Sequence, residues 1–144
     1  MTMSTLTSDN RITRRPIPSE KAVKMLSRHL GVHPVYVVLF ENHTYQMLDK
    51  YAESYNGGQW QFFTLSNGGI YMAPIGEGQL TLEVPSNGFS GSMSVDAAGI
   101  VASLFALNFL SWKTEVDAIT DCYHKLHHFA GEHAEFPQIY RAID

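Results

Sequence analysis

Residues 60–94 read WQFFTLSNGGIYMAPIGEGQLTLEVPSNGFSGSMS, and this glycine-punctuated stretch decides the fold. Trp60–Leu65 is aromatic and strand-like, and Asn67-Gly68-Gly69 supplies residues that tolerate the positive φ of a tight hairpin turn. Ile70–Ala73 then runs back, Gly76-Glu77-Gly78 forms a second turn, and Leu80, Leu82 and Val84 alternate with Thr81 and Glu83. Asn87-Gly88 is a third turn, after which Phe89, Gly91 and Met93 alternate with Ser90, Ser92 and Ser94. Strands joined by turns this short run antiparallel, so the stretch predicts a four-stranded antiparallel β-meander over about 59–94.

Helices flank it on both sides, which makes the class α+β. Downstream, Ser94 is placed to cap a helix with Asp96 in its first turn. Val95–Leu110 is apolar nearly all round, which predicts a helix buried beneath the sheet. Its nearly apolar part, Ala97 to Leu110, is too short for a bilayer span. Asp96, Gly99, Ser103 and Ala106 form a stripe of small residues along it, a surface on which another backbone can lie close. Thr114 with Asp117 resembles a capping box, opening a helix with Val116, Ile119, Tyr123, Leu126 and Ala130 inward and Gly131 at its end. Pro137 suits the start of a short last helix carrying Ile139 and Ile143.

Upstream, Ser19 as N-cap and Gly31 as C-terminal stop frame a helix over Glu20–Leu30, with Val23, Leu26 and Leu30 inward. His33-Pro34 breaks the chain. Val35–Phe40 fits either a short strand or the buried beginning of a helix, because an apolar run of this length has no deciding period. Asn42–Tyr55 is helical by pattern, with Thr44, Leu48, Tyr51 and Tyr55 on one stripe. Residues 1–18 read as a flexible basic arm and 19–144 as one domain, a size that can bury a core unaided.

Charge is unevenly placed. Residues 1–28 hold six basic groups and two acidic ones, and residues 29–144 hold four basic and twelve acidic. This describes an acidic domain with a basic lead-in, or a basic segment that touches nucleic acid or an acidic partner. The single cysteine, Cys122, excludes an internal disulfide, and the first residues lack the apolar core of a secretory signal. A cytoplasmic protein is therefore expected, without a membrane partner.

The chemical motifs mostly fail on inspection. His124 and His128 share a helix face at a spacing that can bind metal, but that face also carries Asp121 and Lys125, so they read as solvated. His133-Ala134-Glu135 matches half of a zinc-deaminase signature whose two-cysteine half is missing. Gly76-Glu77-Gly78 is no dinucleotide fingerprint, and no lysine follows a glycine run as in a phosphate loop. Cys122 has no oriented base, since His124 lies two residues on and points elsewhere. The aromatic sheet lacks the cations of a nucleic-acid groove: no Lys or Arg occurs between Tyr51 and Trp112. The expectation from these residues is that they hold no metal.

Several separated segments together resemble one family. They are Tyr55–Trp60, Leu65–Pro74, Asn87–Ser94, Asp96–Val101, Leu104–Asn108 and Arg141–Asp144, in that order. The chain over residues 19–144 resembles the ArdB/KlcA-type antirestriction proteins. The resemblance implies a compact α+β fold and carriage on mobile elements. It further implies a protein that is no enzyme, with no catalytic residues and no cofactor, which inhibits host restriction-modification, chiefly of type I, with the host machinery as direct or indirect partner. Full charge mimicry of DNA is not expected. A globule of this size is roughly 38 Å across, a length over which duplex DNA carries about 22 charges. The chain has 14 acidic groups, dispersed and offset by 10 basic ones.

The candidate interaction surface is the turn Asn67, Gly68 and Gly69, the turn Asn87 and Gly88, and the chain end at Asp144. The alternative function is a DNA-binding accessory protein using the basic segment 11–28, which leaves open a weak nucleic-acid contact through that segment.

Overall fold

The structure, a computed structural model, describes residues 11–144. Its strands are β1 (Arg14–Ile17), β2 (Trp60–Leu65), β3 (Ile70–Pro74), β4 (Gln79–Val84) and β5 (Phe89–Ser94). Its α-helices are α1 (Ala22–Leu30), α2 (Pro34–Tyr51), α3 (Val95–Thr114), α4 (Asp117–Gly131) and α5 (Phe136–Ile143). The α+β class is as expected, and all strand pairs are antiparallel.

The four strands of residues 60–94 form as two hairpins, but these do not join into one meander. β2 and β3 pair with β1 in a three-stranded sheet of order β1-β2-β3, while β4 and β5 make a separate ribbon. The reason lies in α3. Ser103 Oγ accepts a hydrogen bond from Met72 N–H at 3.2 Å and donates one to Met72 C=O at 3.1 Å. Those are the groups with which β3 would hold a further strand. Gly99, one turn earlier, abuts Ala73 and Met72. The small-residue stripe thus brings the helix against the sheet edge, which a helix covers as well as a strand does.

The third strand of that sheet, on the other side of β2, comes from residues expected in the flexible arm. Arg14–Ile17 pairs with Leu65–Phe62, and Ile17 is buried. Only residues 1–10 of the expected arm lie outside the described residues. Four residues are too few for a visible period, and Pro16 argues against a strand except at an edge, which is where β1 sits.

Several helix boundaries also differ, α3 running on to Thr114 past the expected Leu110. Ser19–Lys21 forms a 3-10 turn without a side-chain cap, and α1 begins at Ala22. The open segment Val35–Phe40 is helical: His33 Nδ1 accepts a hydrogen bond from Val35 N–H at 3.1 Å, and Pro34 fills the first turn. Val37, Phe40, Thr44 and Leu48 then make one buried face, and the helix ends at Tyr51, earlier than Tyr55. Thr114 does not build a capping box. It hydrogen-bonds Leu110 C=O and Val116 N–H instead, and Val116 is the N-cap of α4.

The core forms around α3, of which eleven residues are buried. This helix has 20 residues and is apolar enough to cross a bilayer by length and composition, but it is enclosed by α2, α4, α5 and both β-units. The β4–β5 ribbon turns Leu82, Val84, Phe89 and Met93 inward and leaves Thr81, Glu83, Ser90 and Ser92 exposed, the expected alternation.

Candidate functional site

Asp96, in the first turn of α3, gathers three distant parts of the chain. Arg14 of β1 donates to its Oδ1 at 2.7 Å, and the Tyr71 hydroxyl of β3 donates to the same oxygen at 2.8 Å. Arg14 also donates to the Tyr71 oxygen at 2.6 Å and lies over the Phe63 ring. His133, between α4 and α5, reaches Oδ2 at 2.9 Å. Its Nδ1 accepts the Glu135 N–H at 3.0 Å, so the proton on this imidazole resides on Nε2 and points at Asp96. Burial disfavours the charged carboxylate, yet the hydrogen bonds from His133 and Tyr71 and the charge of Arg14 outweigh it and hold its pKa below the ordinary value. Burial, with the Asp96 charge nearby, pushes the Tyr71 phenol far above its ordinary range.

The residues around this cluster fasten the same junction. Ser94 caps α3 by accepting Ala97 N–H at 3.1 Å, and it hydrogen-bonds the Glu135 carboxylate through its hydroxyl and its backbone N–H. Glu132 accepts the Ile12 N–H at 2.8 Å. A cleft of about 490 Å³ lies beside them, lined among others by Arg11, Arg14, Asp96, Phe129 and His133. The cluster resembles a catalytic Asp–His pair in composition only. Both imidazole nitrogens and both Asp96 oxygens already have partners, so the arrangement acts as a clamp between β1, β3, α3 and the α4–α5 loop. Sequence reading missed it because Arg14, Tyr71, Asp96 and His133 are dispersed along the chain. The small-residue stripe containing Asp96 was its one legible trace.

The expected contact residues fall in two places. Asn87, Gly88 and Asp144 do come together, in a groove of about 280 Å³ shared with Phe89, Tyr140 and Arg141. Asn87 Nδ2 donates to Ala142 C=O at 2.7 Å, fixing the turn on α5. The Asn67-Gly68-Gly69 turn lies apart from that groove, and its backbone is engaged rather than presented at a free loop tip. Asn67 Oδ1 accepts Gly69 N–H at 3.0 Å, its Nδ2 donates to Lys125 C=O at 2.9 Å, and His29 Nε2 lies 3.1 Å from Gly69 C=O. Gly68, at φ +97°, packs beneath the Lys125 side chain.

His124 and His128 are exposed on α4, and no group of three or more metal-ligating side chains assembles among the described residues. Cys122 is buried, and burial pushes its thiol up to about 12.

Comparison with known proteins gives a consistent result. The family model described as antirestriction protein matches residues 53–144. An antirestriction protein KlcA from Escherichia coli is 46% identical over 126 residues, covering 85% of this chain and 86% of that protein. A second Escherichia coli KlcA is 41% identical over 142 residues, covering 96% and 99%. A solved structure superimposes with a TM-score of 0.82 at 41% identity, over 92% of this chain and 95% of the other. It is described as showing that the KlcA and ArdB proteins have a novel fold and antirestriction activity against type I DNA restriction systems in vivo but not in vitro. With sequence, family model and fold in agreement over most of its length, this chain belongs to the antirestriction protein family.

Proposed function

We propose that this protein protects incoming mobile-element DNA by lowering type I restriction in the host cytoplasm, as a non-catalytic contact protein. The observation that carries the reading is the near-complete superposition on a solved relative described as active against type I systems in vivo. The site chemistry supports the non-catalytic part. The Asp96–His133 pair is saturated with hydrogen bonds, and the one thiol is buried and strongly disfavoured as thiolate. Acidic groups remain too few and too dispersed for DNA mimicry. The partner is the host restriction machinery, reached directly or through another cell component; that relative's activity in vivo but not in vitro favours an indirect route. The DNA-binding alternative loses support because part of segment 11–28 is fixed in a sheet and a helix instead of forming a free arm.

The test is a plating assay. Unmodified phage is plated on a type I restricting host with and without the protein. Plating efficiency rises with the protein if the reading holds, and unchanged efficiency overturns it.

A further inference from the structure

The basic segment 11–28 folds into β1 and α1 with most of its cations exposed. Lys24 and Arg28 lie four residues apart on α1, opposite the buried Ala22 and Leu26, and Lys21 stands at the N-terminal end of the same helix. Arg15 is exposed on β1, and Arg11 just before it. Among the described residues, the one Lys or Arg in an ion pair is Arg14, with Asp96, which also accepts a hydrogen bond from the His133 imidazole. Arg11, Arg15, Lys21, Lys24 and Arg28 therefore face solvent without an acidic partner among those residues. Glu20 is the one acidic residue between positions 11 and 28.

The Asn67-Gly68-Gly69 turn ties this charge into a continuous surface. The start of β1 lies beside it, because Ser66 N–H donates to Thr13 C=O and Thr13 N–H to Ser66 Oγ. The end of α1 reaches it through His29, and Lys125 of α4 lies across Gly68. β1, the C-terminal end of α1 and Lys125 thus meet at one tight turn, which brings the segments that carry Arg11, Arg15, Arg28 and Lys125 together.

The geometry points to this face, formed by β1, α1 and Lys125 around the 67–69 turn, as a docking surface for an acidic patch on a partner protein. Charge complementarity selects the occupant. The rest of the chain, residues 29–144, carries four basic and twelve acidic groups. A DNA duplex is a long rod with a charge about every 1.7 Å, and it would run beyond the basic face onto that acidic remainder. A compact acidic patch meets only the local field, because charges farther than about 8 Å are screened at physiological salt. No exposed aromatic lies among these cations to stack a base. The inference rests on the antirestriction reading and gives it a surface and a partner chemistry.

The test compares two variants with the same change in net charge, Lys24→Glu/Arg28→Glu on the face and Lys50→Glu/Lys113→Glu away from it. All four side chains are exposed, so native circular dichroism is expected for both. The probes are a fluorescent glutamate-rich peptide and a DNA duplex of equal charge, titrated at about 50 mM and about 200 mM salt. The peptide is expected to bind the wild type more tightly than the duplex does. It should weaken about tenfold or more in Lys24→Glu/Arg28→Glu and little in Lys50→Glu/Lys113→Glu. No peptide binding, or equal weakening in both variants, overturns the proposal. Duplex binding as tight as peptide binding overturns it in favour of nucleic acid.

The plating assay separates this proposal from the one beneath it. Loss of protection in Lys24→Glu/Arg28→Glu alone supports the docking face. Equal protection by that variant and the wild type overturns the face and leaves the antirestriction reading standing. Failure of the wild type to protect overturns that reading, while the peptide titration still decides whether the face binds acidic surfaces.

Discussion

Gly99 of α3 lies directly against Ala73 of β3, so close that a methyl group on Gly99 would fall 2.7 Å from the Met72 carbonyl oxygen. The neighbours are backbone atoms of a packed strand and cannot swing aside. Gly99→Ala is expected to destabilise the fold by about 1–3 kcal/mol through overpacking, despite the gain in helix propensity. Chemical denaturation measures it, and a neutral or stabilising result would show that the strand yields.

Ser103 carries the second half of that junction. Its hydroxyl serves both the N–H and the C=O of Met72 in a fully buried position. Ser103→Ala leaves two backbone groups unpaired in the core, which costs about 1–3 kcal/mol. Faster amide hydrogen exchange at Met72 is the local sign, and unchanged exchange with unchanged stability would contradict the assignment.

Asp96 makes stability depend on pH. Its pKa in the folded state lies below the ordinary value, so its contribution is present above the unfolded carboxylate pKa of about 3.9. That contribution is lost as pH falls through this value towards the lower folded one. Unfolding free energy should therefore decline at acid pH, and Asp96→Asn should flatten the decline while weakening the fold near neutrality. Parallel pH profiles for variant and wild type would refute the clamp.

Glu115 is the one non-glycine residue at positive φ among those described, at φ 56°, where it ends α3. Glycine is the favoured residue for a left-handed helix terminus. Glu115→Gly is expected to raise stability by up to about 1 kcal/mol. A lower melting temperature would mean that the Glu115 side chain compensates for its backbone.

The plain alternation of β4 and β5 and the uniform apolarity of α3 are local patterns, and the structure follows them closely. So do the tight turns and the αL stop at Gly31, because each depends on residues within a few positions of one another. Even the small-residue stripe on α3 announced that a backbone would lie there. What it could not announce was which backbone.

The choice between β4 and α3 as the cover for β3 depends on Gly99 and Ser103 meeting Met72 and Ala73, about 30 residues away. β1 was invisible for the same reason: four residues with a proline become a strand only when β2 offers its edge. The clamp around Asp96 and the meeting of β1, α1 and Lys125 at the 67–69 turn likewise exist only once distant segments pack. Sequence alone determined the two hairpins, most of the helices and the family, because these are written in short-range order. Tertiary structure decided the sheet edges, the partly exposed cluster around Asp96 and the segments that meet at the 67–69 turn, because hydrogen bonds and charges act through space and take no account of position along the chain.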